Sequence, residues 1–325
     1  MTELLLPEVG YTQTARRPGW AQLPAELRAA VEQRLGAAVV TASGTGAGFT
    51  QGFASVVGTA DGRAHFVKAV PRDHYLARWY EQEAHNTAAL PAAVAAARLR
   101  WHAELAGHVV LCLDPIPGAR VPQLPWRPEE LTAALDAWAV TAAALAEPSP
   151  PLLELPLETF ATTVEPMLRT WRDADPDQLA VLTPELVPHL DRLRELEARL
   201  VELGTRATGV FHGDLRLDNT VLDGDGRAWI CDWAFLAHGP AWFDLVTLLL
   251  SAEASGYDVD ALFAAHPAAR GLPDDALDAA LAACAGYYVH AGAKPEIEQS
   301  PAVRSHQRYY GRLTVRWLSR RQGWR

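Results

Sequence analysis

The stretch His212-Gly-Asp-Leu-Arg-Leu-Asp-Asn219, followed by Ile230-Cys-Asp-Trp233, decides how this chain is read. Its spacing puts Asp214 and Asn219 on one tight loop. An aspartate so placed can orient a hydroxyl and accept its proton. An asparagine five residues on can offer its amide oxygen to Mg²⁺, a hard cation that prefers oxygen ligands. Asp232, on the far side of a short hairpin, is expected to return beside Asn219 and to serve the same metal. Asp, Gly and Asn are also ordinary turn residues. A His, an Asp, an Asn and a downstream apolar-Cys-Asp-Trp at these intervals form a much rarer combination.

Upstream, Ser43-Gly-Thr-Gly-Ala-Gly48 sets Gly44, Gly46 and Gly48 between two strand-like segments. Glycines let backbone amides approach phosphates with no Cβ in the way, although a flexible hairpin has the same composition. Phe66-Val-Lys-Ala-Val70 then places Lys68 on a strand. Of the 29 basic residues only Lys68 and Lys294 are lysine. A lysine standing against that bias points to a need for a compact ammonium that guanidinium does not mimic. An exposed strand lysine is the plainer alternative.

The elements fall in a consistent order. Leu27, Val31 and Leu35 repeat every four residues behind Pro24, predicting a helix from Pro24 to Gly36, with the proline in its first turn. Strands are predicted at Val39 to Ser43, Ala54 to Thr59 and Ala64 to Val70, the last two joined by Asp61-Gly62. A helix fits Tyr75 to Leu90, and strands fit Arg98 to His102 and His108 to Leu113. The first third thus reads as a five-stranded sheet with one inserted helix. Asp114-Pro-Ile-Pro-Gly118 reads as a hinge. Beyond it come apolar stripes at Leu131, Leu135, Trp138, Ala142 and Leu145, and from Leu186 through Leu203. The Pro-rich stretch Glu147 to Pro156 reads as a loop. A small hairpin is predicted from Val210-Phe211, Thr220 to Leu222 and Ala228 to Cys231, turning at Asp223-Gly-Asp-Gly226. Helices follow to the end.

Taken together, His212 to Asp232 resembles the catalytic core of the aminoglycoside phosphotransferase and choline kinase-like superfamily, relatives of protein kinases, and the resemblance extends from about Val39 to Leu250. It implies an α+β, protein-kinase-like two-lobed fold with a small five-stranded antiparallel N-lobe carrying one helix. Residues 1–113 would form this nucleotide-binding lobe, and residues 114–325 a larger, mainly helical lobe for catalysis and substrate. The implied activity is transfer of the γ-phosphoryl group of ATP or GTP to a hydroxyl of a small molecule, with Mg²⁺. Asp214 would be the catalytic aspartate, and Asn219 and Asp232 would hold the metal. Lys68 would pair the phosphates, clamped by Glu83, with Glu81 as the competing partner. The inter-lobe strand Val109 to Leu113, with Leu111 and Leu113, would meet the adenine edge through its backbone. His212 and Asp244 would brace the loop. Arg216 is expected to touch the transferring phosphoryl group or, equally, to form a structural pair with Asp218. A nucleotide-binding pseudokinase or regulatory module without turnover is the alternative.

Two features argue against a protein kinase. Asp244 follows Asp232 by only twelve positions, too few for a peptide-seating activation segment, and Asp232 is followed by Trp233-Ala234 rather than Phe-Gly. The acceptor is therefore expected to be small.

Bulk composition bounds the rest. The net charge is −10. Residues 114–202 alone hold 7 Lys+Arg against 16 Asp+Glu. Such a balance disfavours nucleic acid and suits a cationic acceptor, or is simply a solvated surface. Three cysteines, Cys112, Cys231 and Cys284, cannot all pair, which suits a reducing compartment. The run Leu4-Leu-Leu6 behind Glu3 is too short and too acidic for a signal peptide, and Leu245 to Leu250 is too short to span a membrane. A cytoplasmic protein is expected, with its oligomeric state open. Asp223-Gly-Asp-Gly226 begins like an EF-hand loop but lacks its later ligands. The histidines and cysteines show no zinc spacing. Arg304, Arg308, Arg312, Arg316 and Arg320 form a stripe, read as a solvated helix face.

Overall fold

Five strands pair antiparallel in the order β1-β2-β3-β5-β4: β1 (Val39–Gly44), β2 (Phe53–Thr59), β3 (Ala64–Pro71), β4 (Leu99–Leu105) and β5 (His108–Leu113). The computed structural model describes residues 4–7, 10–11, 14–46, 48–49, 51–298 and 300–324, the side chains of 165–168 aside. Glu3 and Ala47, both named above, lie outside these residues. The sheet is sandwiched. On one face Leu27, Val31 and Leu35 of α1 (Ala25–Leu35) pack on Val57, Val67 and Cys112. On the other, Tyr80 and Ala84 of α2 (Ala77–Ala89) pack on Val70, Val109 and Leu111. Covered on both faces, β3 and β5 are buried along most of their length, whereas β4 at the edge alternates half-buried and exposed. Pro24 sits at the N-cap of α1, one position earlier than expected, and Gly36 ends the helix at φ 83.

The hinge is fastened to the second lobe. β7 (Thr220–Leu222) and β8 (Ala228–Ile230) form a hairpin, and its turn donates from Gly224 N to Pro117 O at 2.9 Å. Arg120 and Leu222 exchange backbone bonds at 2.9 and 2.8 Å. At the crossing Gly118 has φ 65, and a Cβ there would lie 2.9 Å from Gly224 Cα, so the contact requires glycine.

The remaining chain is helical: α3 (Pro128–Ala146), α4 (Pro150–Leu153), α5 (Phe160–Leu168), α6 (Pro176–Leu182), α7 (Leu190–Thr205), α8 (Ala241–Ala254), α9 (Val259–Ala265), α10 (Ala276–Gly292) and α11 (Ala302–Gln322). Residues Ala279 to Ala285 of α10 are all buried. A helix apolar on every side belongs in the middle of a bundle, and small residues let α10 lie close to its neighbours.

Four readings are corrected. Val210–Phe211, as β6, does not join the β7–β8 hairpin; it pairs with a two-residue strand, β9 (Ala237–His238), that carried too little pattern to predict. The stretch Glu147 to Pro156 contains the single turn α4. The stripe from Leu186 begins in a 3₁₀ turn over Pro184–His189, because Pro188 cannot donate a helical hydrogen bond. The arginine stripe on α11 is not simply solvated. Arg316 and Arg320 both bind Glu253, whose side chain is fully buried, and Arg304 donates to Pro295 O. Among the described residues no helix is long and apolar enough to cross a membrane.

Candidate active site

The loop from His212 to Asn219 is built from behind. Asp244, buried in the first turn of α8, accepts the His212 amide at 2.7 Å and the Gly213 amide at 2.9 Å. Thr247 Oγ1, one helical turn on, donates to Leu215 O at 2.7 Å. Gly213 has φ 81, and a Cβ there would lie 2.5 Å from Phe235 O. The His212 ring is buried, and burial lowers its pKa to about 4. The neutral ring works at both ends: Nε2 donates to Cys231 O at 2.9 Å, so Nδ1 is the atom that accepts the Asp214 amide at 3.2 Å. One imidazole thereby joins the two segments that carry Asp214 and Asp232.

Asn219 completes the turn. Its Nδ2 donates to Asp214 O at 2.8 Å and Asp214 Oδ2 at 3.1 Å, which leaves its amide oxygen as a donor for a metal. Cys231 N donates to Asn219 O at 2.9 Å, bringing Asp232 alongside. Asp232 takes φ 65, uncommon for a residue with a Cβ. Its carboxylate reaches to 3.7 Å from Lys68 Nζ.

Lys68 and Glu83 form an ion pair in which both residues are buried, at 8% and 4% exposure. Burial disfavours the Lys68 ammonium, but Glu83 and Asp232 outweigh it and hold its pKa above the ordinary value. The Tyr80 ring lies 5.0 Å from Nζ. Glu81, the competing partner, is turned to Arg72 instead. Tyr80 and Asn86 were not anticipated. Both lie on the Glu83 face of α2, three residues to either side, and that spacing is the signal that could have found them. Asn86 Nδ2 donates to Trp233 O at 2.7 Å and so ties α2 to the segment after Asp232.

A cleft of about 740 Å³ opens between the sheet and the helical body. Ser43, Gly44, Thr45 and Gly46 line its roof, Leu113 and Asp114 its back, and Val221 and Ile230 its floor, with Glu83 and Asp232 at one end. Gly48 lies on the same loop at φ 83. Leu111 is not a cleft residue: it points to the same side of β5 as Leu113, but α2 covers it in the core. Cys112 faces the α1 side and lies away from the cleft.

Arg216 is committed to carboxylates on both sides. Nε and Nη2 each reach Asp218 at 3.1 Å, and Nη1 bonds Asp214. The Asp218 side chain is fully buried. Arg216→Ala is therefore expected to leave an uncompensated buried carboxylate and to cost about 3–5 kcal/mol of stability, read by denaturant unfolding. Unchanged stability with lower turnover would instead assign Arg216 to the phosphoryl group alone.

Cys231 lines the cleft and is half-buried. Burial, with Glu83 and Asp232 nearby, pushes its thiol up to about 12, against the pull of Lys68. Since the thiolate is the reactive form, slow alkylation is expected in the free protein and slower alkylation under Mg²⁺·ATP. Mass spectrometry of alkylated peptides reads both rates; fast labelling indifferent to nucleotide would place the thiol elsewhere.

The sequence profile of the phosphotransferase enzyme family (APH) matches residues 47–286, and the chain belongs to that family. A search of curated proteins finds no match. Solved structures share the fold. A thermostable aminoglycoside phosphotransferase APH(4)-Ia, in a ternary complex with ADP and hygromycin B, aligns with TM-score 0.56 at 15% identity, over 89% of this chain and 98% of that one. An aminoglycoside phosphotransferase from Alicyclobacillus acidocaldarius aligns with TM-score 0.55 at 15% identity, over 87% and 92%. A macrolide 2'-phosphotransferase type I aligns with TM-score 0.54 at 19% identity, over 90% and 96%.

Proposed function

We propose that this chain is a Mg²⁺-dependent small-molecule kinase that moves the γ-phosphoryl group of ATP or GTP to a hydroxyl. The observation that carries the reading is the pairing of Asn219 with Asp214 and of Asp232 with the Lys68–Glu83 pair, with Glu83 and Asp232 lining the cleft. The donor set suits a hard cation: an amide oxygen of Asn219 and the Asp232 carboxylate, whose side chain is 34% exposed. Bound there, Mg²⁺ would neutralise phosphate charge. Lys68, held in place by Glu83, presents a point charge to the phosphates. Asp214 orients the acceptor hydroxyl and takes its proton as the oxygen attacks the γ-phosphorus, and the bond to the leaving β-phosphate oxygen breaks with its electrons. Burial pushes the Asp214 carboxyl up to about 7, with Arg216 and Asn219 pulling against it, a value suited to a base at neutral pH.

The acidic balance of residues 114–202 supports a cationic acceptor such as an aminoglycoside or another amino-alcohol or amino sugar. The test is nucleoside-diphosphate release over a panel of hydroxylated amines and sugars, with ATP and GTP in parallel, each with and without Mg²⁺. Acceptor-stimulated release that requires Mg²⁺ is expected. Mg²⁺·nucleotide binding with no release on any acceptor would favour the pseudokinase alternative.

A further inference from the structure

We propose that Thr14 and Arg17, on the segment leading into α1, are positioning residues that set the glycine-rich loop for a bound triphosphate; the inference rests on the nucleotide reading above. Gly46 O accepts two bonds from this segment, from Thr14 N at 2.9 Å and Ala15 N at 3.0 Å. Gly48 O accepts Thr14 Oγ1 at 2.6 Å, and Thr14 is 4% exposed. Arg17 Nη1 donates to Gly52 O at 3.1 Å, where the loop returns to the sheet.

A glycine-rich loop is soft, because each glycine has more conformations to lose than any other residue. Holding its carbonyls from outside removes part of that freedom before a ligand arrives, and preorganisation raises affinity. It also sets direction. A trans peptide unit points its N–H opposite to its C=O, so the bond from Thr14 to Gly48 O turns the Phe49 N–H away from the segment. Gly44 and Gly46 of the same loop line the cleft.

The segment is also tied to the helical lobe, since Tyr11 Oη bonds His306 Nδ1 of α11 at 2.8 Å. The loop reaches the same place. The Phe49 ring centroid is 4.8 Å from that of His306, Phe49 O accepts Ser300 Oγ at 2.9 Å, and the Arg216 guanidinium lies 5.7 Å from the Phe49 ring. One set of contacts therefore runs from the loop roof to the cation that grips Asp214.

The experiment compares Thr14→Val and the double variant Thr14→Val/Arg17→Met with wild type, titrating Mg²⁺·ATP and adenosine by calorimetry. Valine keeps the branched shape and removes only the hydroxyl. Thr14→Val is expected to weaken Mg²⁺·ATP about three- to tenfold, the double variant more, with adenosine affinity unchanged because adenosine has no phosphates to meet the loop. Unchanged Mg²⁺·ATP affinity in both variants would overturn the proposal, as would equal losses for Mg²⁺·ATP and adenosine, which would mean a general structural role. A wild-type protein that binds neither ligand would overturn the nucleotide reading and this inference with it.

Discussion

Asp214→Asn is expected to lower turnover by about 10²–10⁴-fold while nucleotide affinity stays near that of wild type. The substitution keeps the size and planarity of the side chain and removes its basicity. The loop has other supports: Asp244 holds the His212 and Gly213 amides, and Arg216 keeps its bidentate bond to Asp218. A collapse of the site is therefore not expected, and equal melting temperatures would establish that. The side chain is 22% exposed, enough for a hydroxyl to approach. Steady-state kinetics with the acceptor found in the panel would check the result, and near-normal turnover would remove Asp214 from the chemistry.

The second large effect is expected at Lys68, in two separable parts. Lys68→Ala strands the Glu83 carboxylate in a buried place, which costs about 3–5 kcal/mol. It also removes the charge from the phosphates, lowering turnover by about 10²–10³-fold. Adding Glu83→Gln to Lys68→Ala should restore most of the stability and none of the activity. Lys68→Arg should be nearly as inactive as Lys68→Ala, because a planar guanidinium does not fit a point-charge position between Glu83, Asp232 and the Tyr80 ring. Full activity in Lys68→Arg would show the phosphate role to be wrong.

What was legible in the chain was what lies close in sequence or has a strict chemical spacing. Asn219 follows Asp214 by five positions, and their partners appear as side-chain types that few other uses would combine. The sheet followed from alternation and from turns such as Asp61-Gly62, whose glycine has φ 81. What failed needed long-range information. Leu111 and Leu113 share a face of β5, and only the placement of α2 decides that one is covered and the other meets the cleft. The α11 arginines looked solvated because Glu253 lies 63 residues before Arg316. A single glutamate within the apolar helix Ala241–Ala254 was nonetheless a clue, since a buried charge demands a partner. The contacts of Thr14 left no trace in composition, because all four bonds that the segment makes to the glycine-rich loop end on backbone carbonyls, and two of them are donated by backbone as well.

Asp244 has a consequence for how the protein can fail. The His212–Asn219 loop hangs from the first turn of α8, and α8 is buried along nearly its whole length in the helical core. The glycine-rich loop, by contrast, is held mainly by a few bonds at its carbonyls. Regions with few buried contacts open locally at low free energy, while core helices open only with the whole domain. Heat or denaturant would then dismantle the site in order: the glycine-rich roof of the cleft goes first, and the Asp214 loop survives until the core itself melts. Selection for heat tolerance has most room to act on the roof of the cleft, where a substitution can stiffen the loop without touching the geometry around Asp214.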